Sequence, residues 1–346
     1  MLAPQSGREP SPDSTPQTLA ESTLDIAPGI DIKPAVAVAP YVEHPRSDAE
    51  RRLIWVNIAG VMLPLVGLAV VMFLTWGGSF NWMYLGLLVG MAILTELGIT
   101  VGYHRLFTHK SFKSPAWVRY TFAALGSMAG QGPVIRWCTE HRLHHQHSDD
   151  TLDPHSPHMG KAGSWGDGIM GTIRGAFHSH VGWLFATPSK GLGKYSRDLH
   201  EDKAVRAADK HFFPWLVAGY ILPGIIAGLI TMTWMGFLLG ILWGGFVRMA
   251  VVHHITWSVN SVCHLWGWRP FESHDESRNN PVVGILAMGE GWHNNHHAFP
   301  SSARHGLRWW EFDPSWLLIK TLQTVGLARD VRVPDKQRLE SKKRKA

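Results

Sequence analysis

The stretch WMYLGLLVGMAILTELGITVGYHRLFTH, residues 82–109, is an apolar run that ends on two histidines, His104 and His109. From Trp82 to about Tyr103 its one charged residue is Glu96. At 1.5 Å per residue a helix of that extent reaches about 33 Å, enough to cross a hydrocarbon core of about 30 Å. A membrane span therefore delivers imidazoles at its end. Residues five apart on an ideal α-helix stand about 140° round from one another. His104 and His109 can thus reach one site only if the helix ends or distorts between them.

Working outward, a second apolar run precedes this one, from Leu53 to about Trp76, with Arg51 and Arg52 before it and the uncharged turn GGSFN after it. Pro64 inside it is tolerated in a membrane helix. Two more runs, 212–231 and 234–257, follow Lys203, Arg206 and Lys210 and are again joined by an uncharged turn. The expected fold is all-α, with four transmembrane helices (about 53–76, 82–103, 212–231 and 234–257) in two hairpins. Lys and Arg gather before the first and third runs and after the second and fourth, so the positive-inside rule places both termini and the polar segments on the cytoplasmic side. Arg248, His253 and His254 near the end of the fourth run imply that its last turns leave the bilayer as a continuing helix. Residues 104–211 are polar, and their one apolar piece, Val118–Gly130, is too short to span and reads as an interfacial or buried helix. Residues 1–48 have no helical or strand period and read as a disordered tail, 49–331 as the membrane domain, and 332–346, with its KKRK end, as a solvated basic tail.

Composition agrees. The 346 residues include 17 Trp and 14 Phe and are 45% hydrophobic but only 17% charged, and the net charge of +6 suits a face lying on anionic lipid. No basic stripe interleaved with aromatics argues for nucleic acid as a partner. The two cysteines, Cys138 and Cys263, cannot form a disulfide framework and read as small packing residues in a reducing compartment.

The 21 histidines are unevenly placed. HRLHH sets His141, His144 and His145 at i, i+3 and i+4, and GEGWHNNHHAFP (289–300) repeats the spacing with His293, His296 and His297, so each trio shares one helix face. Just past the fourth run, WSVNSVCHLWG places Asn260 and His264 four apart on one face. Nine histidines and an amide are too many for one ion and suit two ions with four or five ligands each. A soluble-type di-iron carboxylate bundle needs two Glu-x-x-His pairs and two further Glu; only Glu290 and His293 have that spacing. No HExxH or HxxEH pattern of a zinc peptidase is present. An all-nitrogen pair at a membrane face suits iron that activates dioxygen.

In their order and their placement between paired spans, HRLFTH, HRLHH, NSVCH and HNNHH resemble the membrane fatty acid desaturase family. The flanking pieces GYHRLFTHKSF, DPHS (153–156) and SHVGWLF (179–185) are similar to its acyl-CoA (stearoyl-CoA, delta-9) branch, bacterial type, over roughly residues 50–330. The resemblance implies two non-haem irons held by His104, His109, His141, His144, His145, His264, His293, His296 and His297, with Asn260 acting through a water. It implies that O2 and two electrons remove two hydrogens from a saturated acyl chain, acyl-CoA being the favoured carrier, and leave a cis double bond between carbons nine and ten. No ferredoxin, flavin or haem motif is present, so the donor must be a separate protein: a ferredoxin, a cytochrome b5 or a reductase.

Three places depart from the family pattern. Asn295 stands where Tyr is common, the loop Pro157–His178 is longer than in animal members, and Thr187 and Pro188 replace a basic pair near the CoA headgroup, where Lys190, Lys194 and Arg197 could compensate. His147, His155, His158, His178 and His180 are expected near the site or at the surface, not as ligands. Glu96 reads as a carboxylate paired inside the bundle, as a wall of a substrate channel, or as a partner standing behind the metal ligands. Gly90 and Ala92, with Gly86, leave room for the blind end of an acyl tunnel. Arg142 faces either the headgroup or the donor. Two other functions compete: a membrane hydroxylase of similar di-iron chemistry, whose first cluster is usually HxxxH, and a metal transporter, which would set its ligands near the midplane of the spans.

Overall fold

The computed structural model describes residues 46–75, 81–186 and 192–344. The stretch 1–45, the first hairpin tip 76–80, and Thr187, Pro188 and Lys190 lie outside the described residues. Helix α1 (Asp48–Thr75) is followed by α2 (Trp82–Leu97), which runs without a break into a π-helical segment, Gly98–Thr108. Next come α3 (Ala116–Met128), α4 (Val134–His147), a small antiparallel hairpin of β1 (Met159–Gly160) and β2 (Gly163–Ser164), α5 (Gly168–His180), and the short α6 (Arg197–Glu201) and α7 (Lys203–Lys210). The second hairpin is α8 (Phe212–Thr231) and α9 (Trp234–Gly240), the latter continuing through a second π-helical segment, Ile241–Val247, into α10 (Arg248–Leu265). Helices α11 (Pro281–Leu286), α12 (His293–Ala298), α13 (Pro314–Thr324) and α14 (Lys336–Ser341) complete the polar domain.

Among the described residues, four helices are long and apolar enough to cross a membrane: Asp48–Leu74, Trp82–Thr108, Phe212–Thr231 and Trp234–Leu265. The second and fourth extend past the ends expected from hydropathy, Tyr103 and Trp257. Their polar last turns find partners inside the polar domain, with His104, Thr108 and His264 all buried, so the helix outlasts its lipid-facing part. The expected piece Val118–Gly130 is α3, which buries Val118, Phe122, Ala123 and Ala124. It crosses the first π-helical segment at backbone contact: a Cβ on Gly98 would lie 2.2 Å from the Gly126 nitrogen, so neither position admits a side chain.

Helix α2 has one exposed face and one buried face. Trp82, Gly86, Val89, Gly90, Ile93 and Leu94 form one exposed stripe at helical spacing, while Tyr84, Met91, Thr95 and Glu96 are buried on the other side. This corrects the expectation for Gly90: it sits on the outward stripe, and a Cβ there would meet nothing within 4 Å. Ala92 packs, partly buried, against the core formed by Ile99, Val101, Phe122 and Val252 with their neighbours.

Arg248 is fully buried where three helices meet. Its guanidinium donates to the carbonyls of Gly244 (3.1 Å), Met128 (2.8 Å) and Gly219 (2.7 Å), tying α3 and α8 to the fourth span. The C-terminal end is not a loose solvated tail, at least as far as Arg344. The Glu272 amide donates to Lys342 O (2.7 Å), the Arg344 amide to Pro270 O (2.9 Å) and Lys342 Nζ to Ala298 O (2.8 Å). The backbone groups of the tail thereby find partners that its charge pattern does not announce.

Candidate metal centre

The HxxxxH spacing is resolved by the first π-helical segment. The His109 amide donates to the His104 carbonyl at 3.1 Å, an i→i+5 bond that winds the chain wider than an α-helix and brings residues five apart to one side. The two rings stand 4.8 Å apart, edge to face. His141, His144 and His145 project from α4, His264 from the last turn of α10, and His293, His296 and His297 from the six-residue α12.

These nine side chains separate into two groups whose ligating nitrogens lie within 4.8 Å of one another: His104, His109, His141, His145 and His296 in one, His144, His264, His293 and His297 in the other. Neighbours on a single helix are divided between them, His144 from His145 and His296 from His297. Thus α4 and α12 each serve both groups, while the second span serves the first and the fourth span the other.

Carboxylates set the direction of four imidazoles. His104 Nδ1 faces Glu290 Oε2 at 2.6 Å, His144 Nδ1 faces Asp153 at 3.0 Å, His264 Nδ1 faces Asp149 at 2.9 Å, and His297 Nδ1 is bonded to Asp275. Each such contact holds the proton on Nδ1 and leaves Nε2 as a bare lone pair directed into its group, the usual second layer around a metal-bound histidine. The Nε2 atoms then meet one another: His104 and His296 at 3.0 Å, His296 and His145 at 2.9 Å, His145 and His141 at 3.1 Å, His264 and His293 at 3.0 Å. At this range two ring nitrogens share either a proton or a cation. Two nitrogens each about 2.1 Å from one ion and about 90° apart would be separated by about 3.0 Å. Buried His109 Nε2 and His297 Nε2 have no hydrogen-bond partner. The residues therefore fit two metal ions.

The protonation states agree. Burial, reinforced by neighbouring imidazoles, holds His109, His141, His145, His293 and His296 well below the ordinary histidine value, hence neutral and able to ligate. For Glu290 and Asp275 burial acts the other way, but the facing His104 and His297 keep both carboxyls well below the usual range.

With this geometry in hand, comparison with known proteins is decisive: residues 80–323 match the model of the fatty acid desaturase family. The chain belongs to that family. It is 39% identical over 267 residues to the sn-1 stearoyl-lipid 9-desaturase of Synechocystis sp., covering 76% of each chain. It is 35% identical over 308 residues to the acyl-CoA C20 Delta5-desaturase of Anemone leveillei, covering 85% of this chain and 90% of that one. It is 42% identical over 282 residues to the hex-5-enoyl-[acyl-carrier protein] acetylenase of Moorena producens, covering 82% and 87%. The relatives of this desaturase-family chain are thus named for three different acyl carriers.

The remaining expected site residues are placed as follows. Asn260 is half-buried on α10, one turn before His264 and one turn after Thr256. Glu96 is buried, with the Thr256 hydroxyl 3.4 Å from its carboxylate and 3.0 Å from the Val252 carbonyl. Arg142 departs from the expected headgroup or donor contact. Its five N–H groups donate to Thr108 O (3.2 Å), Phe107 O (2.7 Å), Tyr195 O (2.6 Å) and both Asp198 oxygens (2.7 and 3.0 Å). With every donor engaged, Arg142 fastens the π-helical segment and α4 to the 195–198 segment. Asn295, between the histidines of α12, turns away to Asn279, His305 O and Glu311. Of the histidines expected to be non-ligands, His155 packs 4.4 Å from His144, His158 donates to His264 O and His178 to Pro154 O, and His180 contacts His254 and Ser261.

Sequence reasoning missed His305, Asp149, Asp153 and Asp275, and saw Glu290 only as half of a Glu-x-x-His pair. Glu290 is a hub, contacting His104, Arg105 (3.2 Å) and His305 (3.1 Å). The acids lie on loops with no periodicity; the signals were that Asp149, Asp153 and Asp275 each stand within two residues of a histidine and that Asp153 opens the DPHS piece.

Proposed function

We propose that this chain is a membrane di-iron fatty acyl desaturase that introduces a cis double bond at carbon nine of a saturated chain carried on CoA. The observation that carries this reading is the division of nine histidines into groups of five and four at the ends of two spans, four of them oriented by carboxylates. His104, His109, His141, His145 and His296 would hold one iron, and His144, His264, His293 and His297 the other, with Asn260 beside the latter through a water. Irons so held supply the activation of O2. The chain's own residues keep the ligating nitrogens neutral and aimed, and bury them away from bulk water. Over one turnover –CH2–CH2– becomes –CH=CH– and O2 leaves as two waters, with two electrons and two protons supplied from outside.

A cavity of about 390 Å3 between the start of α1, α4 and the β1–β2 hairpin is read as the seat of the carrier headgroup. Asn57, Arg136, Lys161, Trp165 and Trp183 line it, so the loop longer than in animal members supplies one wall. We place the polar domain and both termini on the cytoplasmic side, from the distribution of Lys and Arg about the spans.

Expression in a desaturase-deficient host followed by gas chromatography of the fatty acids tests the activity, and derivatisation of the products locates the double bond. Purified protein offered CoA-linked, lipid-linked and carrier-protein-linked chains tests the carrier. Absence of unsaturated product with all three, in protein carrying two irons, would overturn the reading.

A further inference from the structure

Helix α5 (Gly168–His180), in the loop that is longer than in animal members, turns its apolar side outward. It buries Gly171, Gly175 and Ser179, while Ile169, Met170, Ile173 and Phe177 are between 55% and 82% exposed. At 3.6 residues per turn these four fall within an arc of about 100°, with the exposed Arg174 at its edge. The helix cannot roll to hide them. A Cβ on Gly171 would run into the Gly166 carbonyl and one on Gly175 into the Pro157 carbonyl, so only small residues fit on the inner side. Four large apolar side chains grouped in the open mark a contact surface.

The depth of α5 is fixed by its ties to two spans. It packs along α10, where His180 meets His254 Nδ1 at 2.9 Å and Ser261 Oγ at 3.0 Å. Just beyond its end, Leu184 O accepts from Asn57 Nδ2, in the third turn of α1, at 2.6 Å. All three partners lie within helices long and apolar enough to cross a membrane, Asp48–Leu74 and Trp234–Leu265. Beside Asn57 on α1, Trp55 and Val56 are exposed. On α10 the same stretch also carries α11, whose Val283 and Ala287 pack with Ile255, Val259 and Val262 and whose Val282, Ile285 and Leu286 are exposed. The outward side of α5 is therefore level with exposed apolar side chains of α1 and α11.

We infer that α5 lies in the membrane interface, with Ile169, Met170, Ile173 and Phe177 as its lipid contact. A helix so placed sinks its apolar side about 5–10 Å into the boundary between headgroups and acyl chains, and an arginine at the edge is long enough to reach a phosphate. Continuity with the apolar helices α1 and α10 favours lipid over a second copy of the chain. The β1–β2 hairpin and His178, from the same loop, line the cavity of about 390 Å3 together with Leu53 and Asn57 of α1. A lipid-seated α5 thus holds that cavity at the membrane surface, where an amphiphilic acyl substrate partitions. The contact depends neither on the reaction nor on the acyl carrier.

The test uses the full-length, iron-loaded protein in vesicles of phosphatidylcholine and phosphatidylglycerol. Both native cysteines are buried, so Met170→Cys, Ile173→Cys and, as a reference on α14, Gln337→Cys each take one environment-sensitive fluorescent label. The labels at Met170 and Ile173 are expected to be quenched by a nitroxide-bearing lipid at least twofold more than the label at Gln337, and by aqueous iodide at least twofold less. Iodide quenching at Met170 or Ile173 equal to that at Gln337 overturns the inference. So does shielding of both positions from both quenchers, which would mean that protein, such as a second copy of the chain, covers the face. Iron content equal to that of the wild type identifies folded variants, and Phe177→Cys stands in for either position.

Discussion

His104 and His109 are joined by a backbone bond of 3.1 Å from the amide of the second to the carbonyl of the first. That i→i+5 bond turns a spacing that an α-helix would splay into a pair of ligands on one side of a span. The second apolar helix is thus long enough to cross a membrane and also brings two imidazoles into one candidate metal group.

His141→Ala and His264→Ala remove one nitrogen from different groups without touching a lipid-facing surface. Each is expected to abolish product and to lower the iron content from two towards one per chain, with membrane insertion intact. Metal analysis of purified protein checks this, and full activity in either variant would refute the ligand assignment.

The carboxylates behind the ligands should matter nearly as much. Asp275→Asn and Asp149→Asn keep the shape but weaken the hold on the Nδ1 proton of His297 and His264. A loss of about 10–100-fold in metal affinity is expected, read by competition with a chelator, in protein whose thermal unfolding in the metal-free form changes little.

The two faces of α2 predict different outcomes for two similar changes. Gly90→Leu adds a side chain on the lipid stripe and should leave the product profile as it is. Ala92→Leu intrudes on the partly buried face and should move preference towards shorter chains. Chromatography of products from both variants decides it; a shift with Gly90→Leu would contradict the assignment of faces.

Asp198 tests the tie made by Arg142. Burial raises its pKa, but the Arg142 guanidinium and Lys110 outweigh this and hold it at about 2. With an unfolded value near roughly 3.9, its contribution is complete above that pH and is lost as pH falls through 2. Asp198→Asn should therefore cost about 1–2 kcal/mol at pH 7, after discounting for solvent screening. The difference from wild type should vanish towards pH 2 in thermal unfolding.

Sidedness can be read by labelling single cysteines from outside intact cells. Positions near Ser79 and Thr233, at the two hairpin tips, should react and a position near His158 should not. Labelling at His158 would reverse the proposed topology.

The sequence by itself determined the four spans, the two hairpins and the identity of the clustered histidines, because lipid selects for apolar length and helical spacing leaves a period that can be counted. The tertiary structure alone decided how those histidines divide, since His144 and His145, adjacent in the chain, point into different groups once α4 is docked. It also decided which polar groups serve the site. Asp149, Asp153, Asp275, Glu290 and His305 reach it from loops whose positions depend on packing against α10 and α12, and no local period records such a contact. Arg142 and Gly90 make the same point in reverse: a charge beside a ligand and a small residue in a span suggest function locally. Only the surrounding carbonyls and the outward stripe of α2 show that one is a structural tie and the other lies on an exposed helix face.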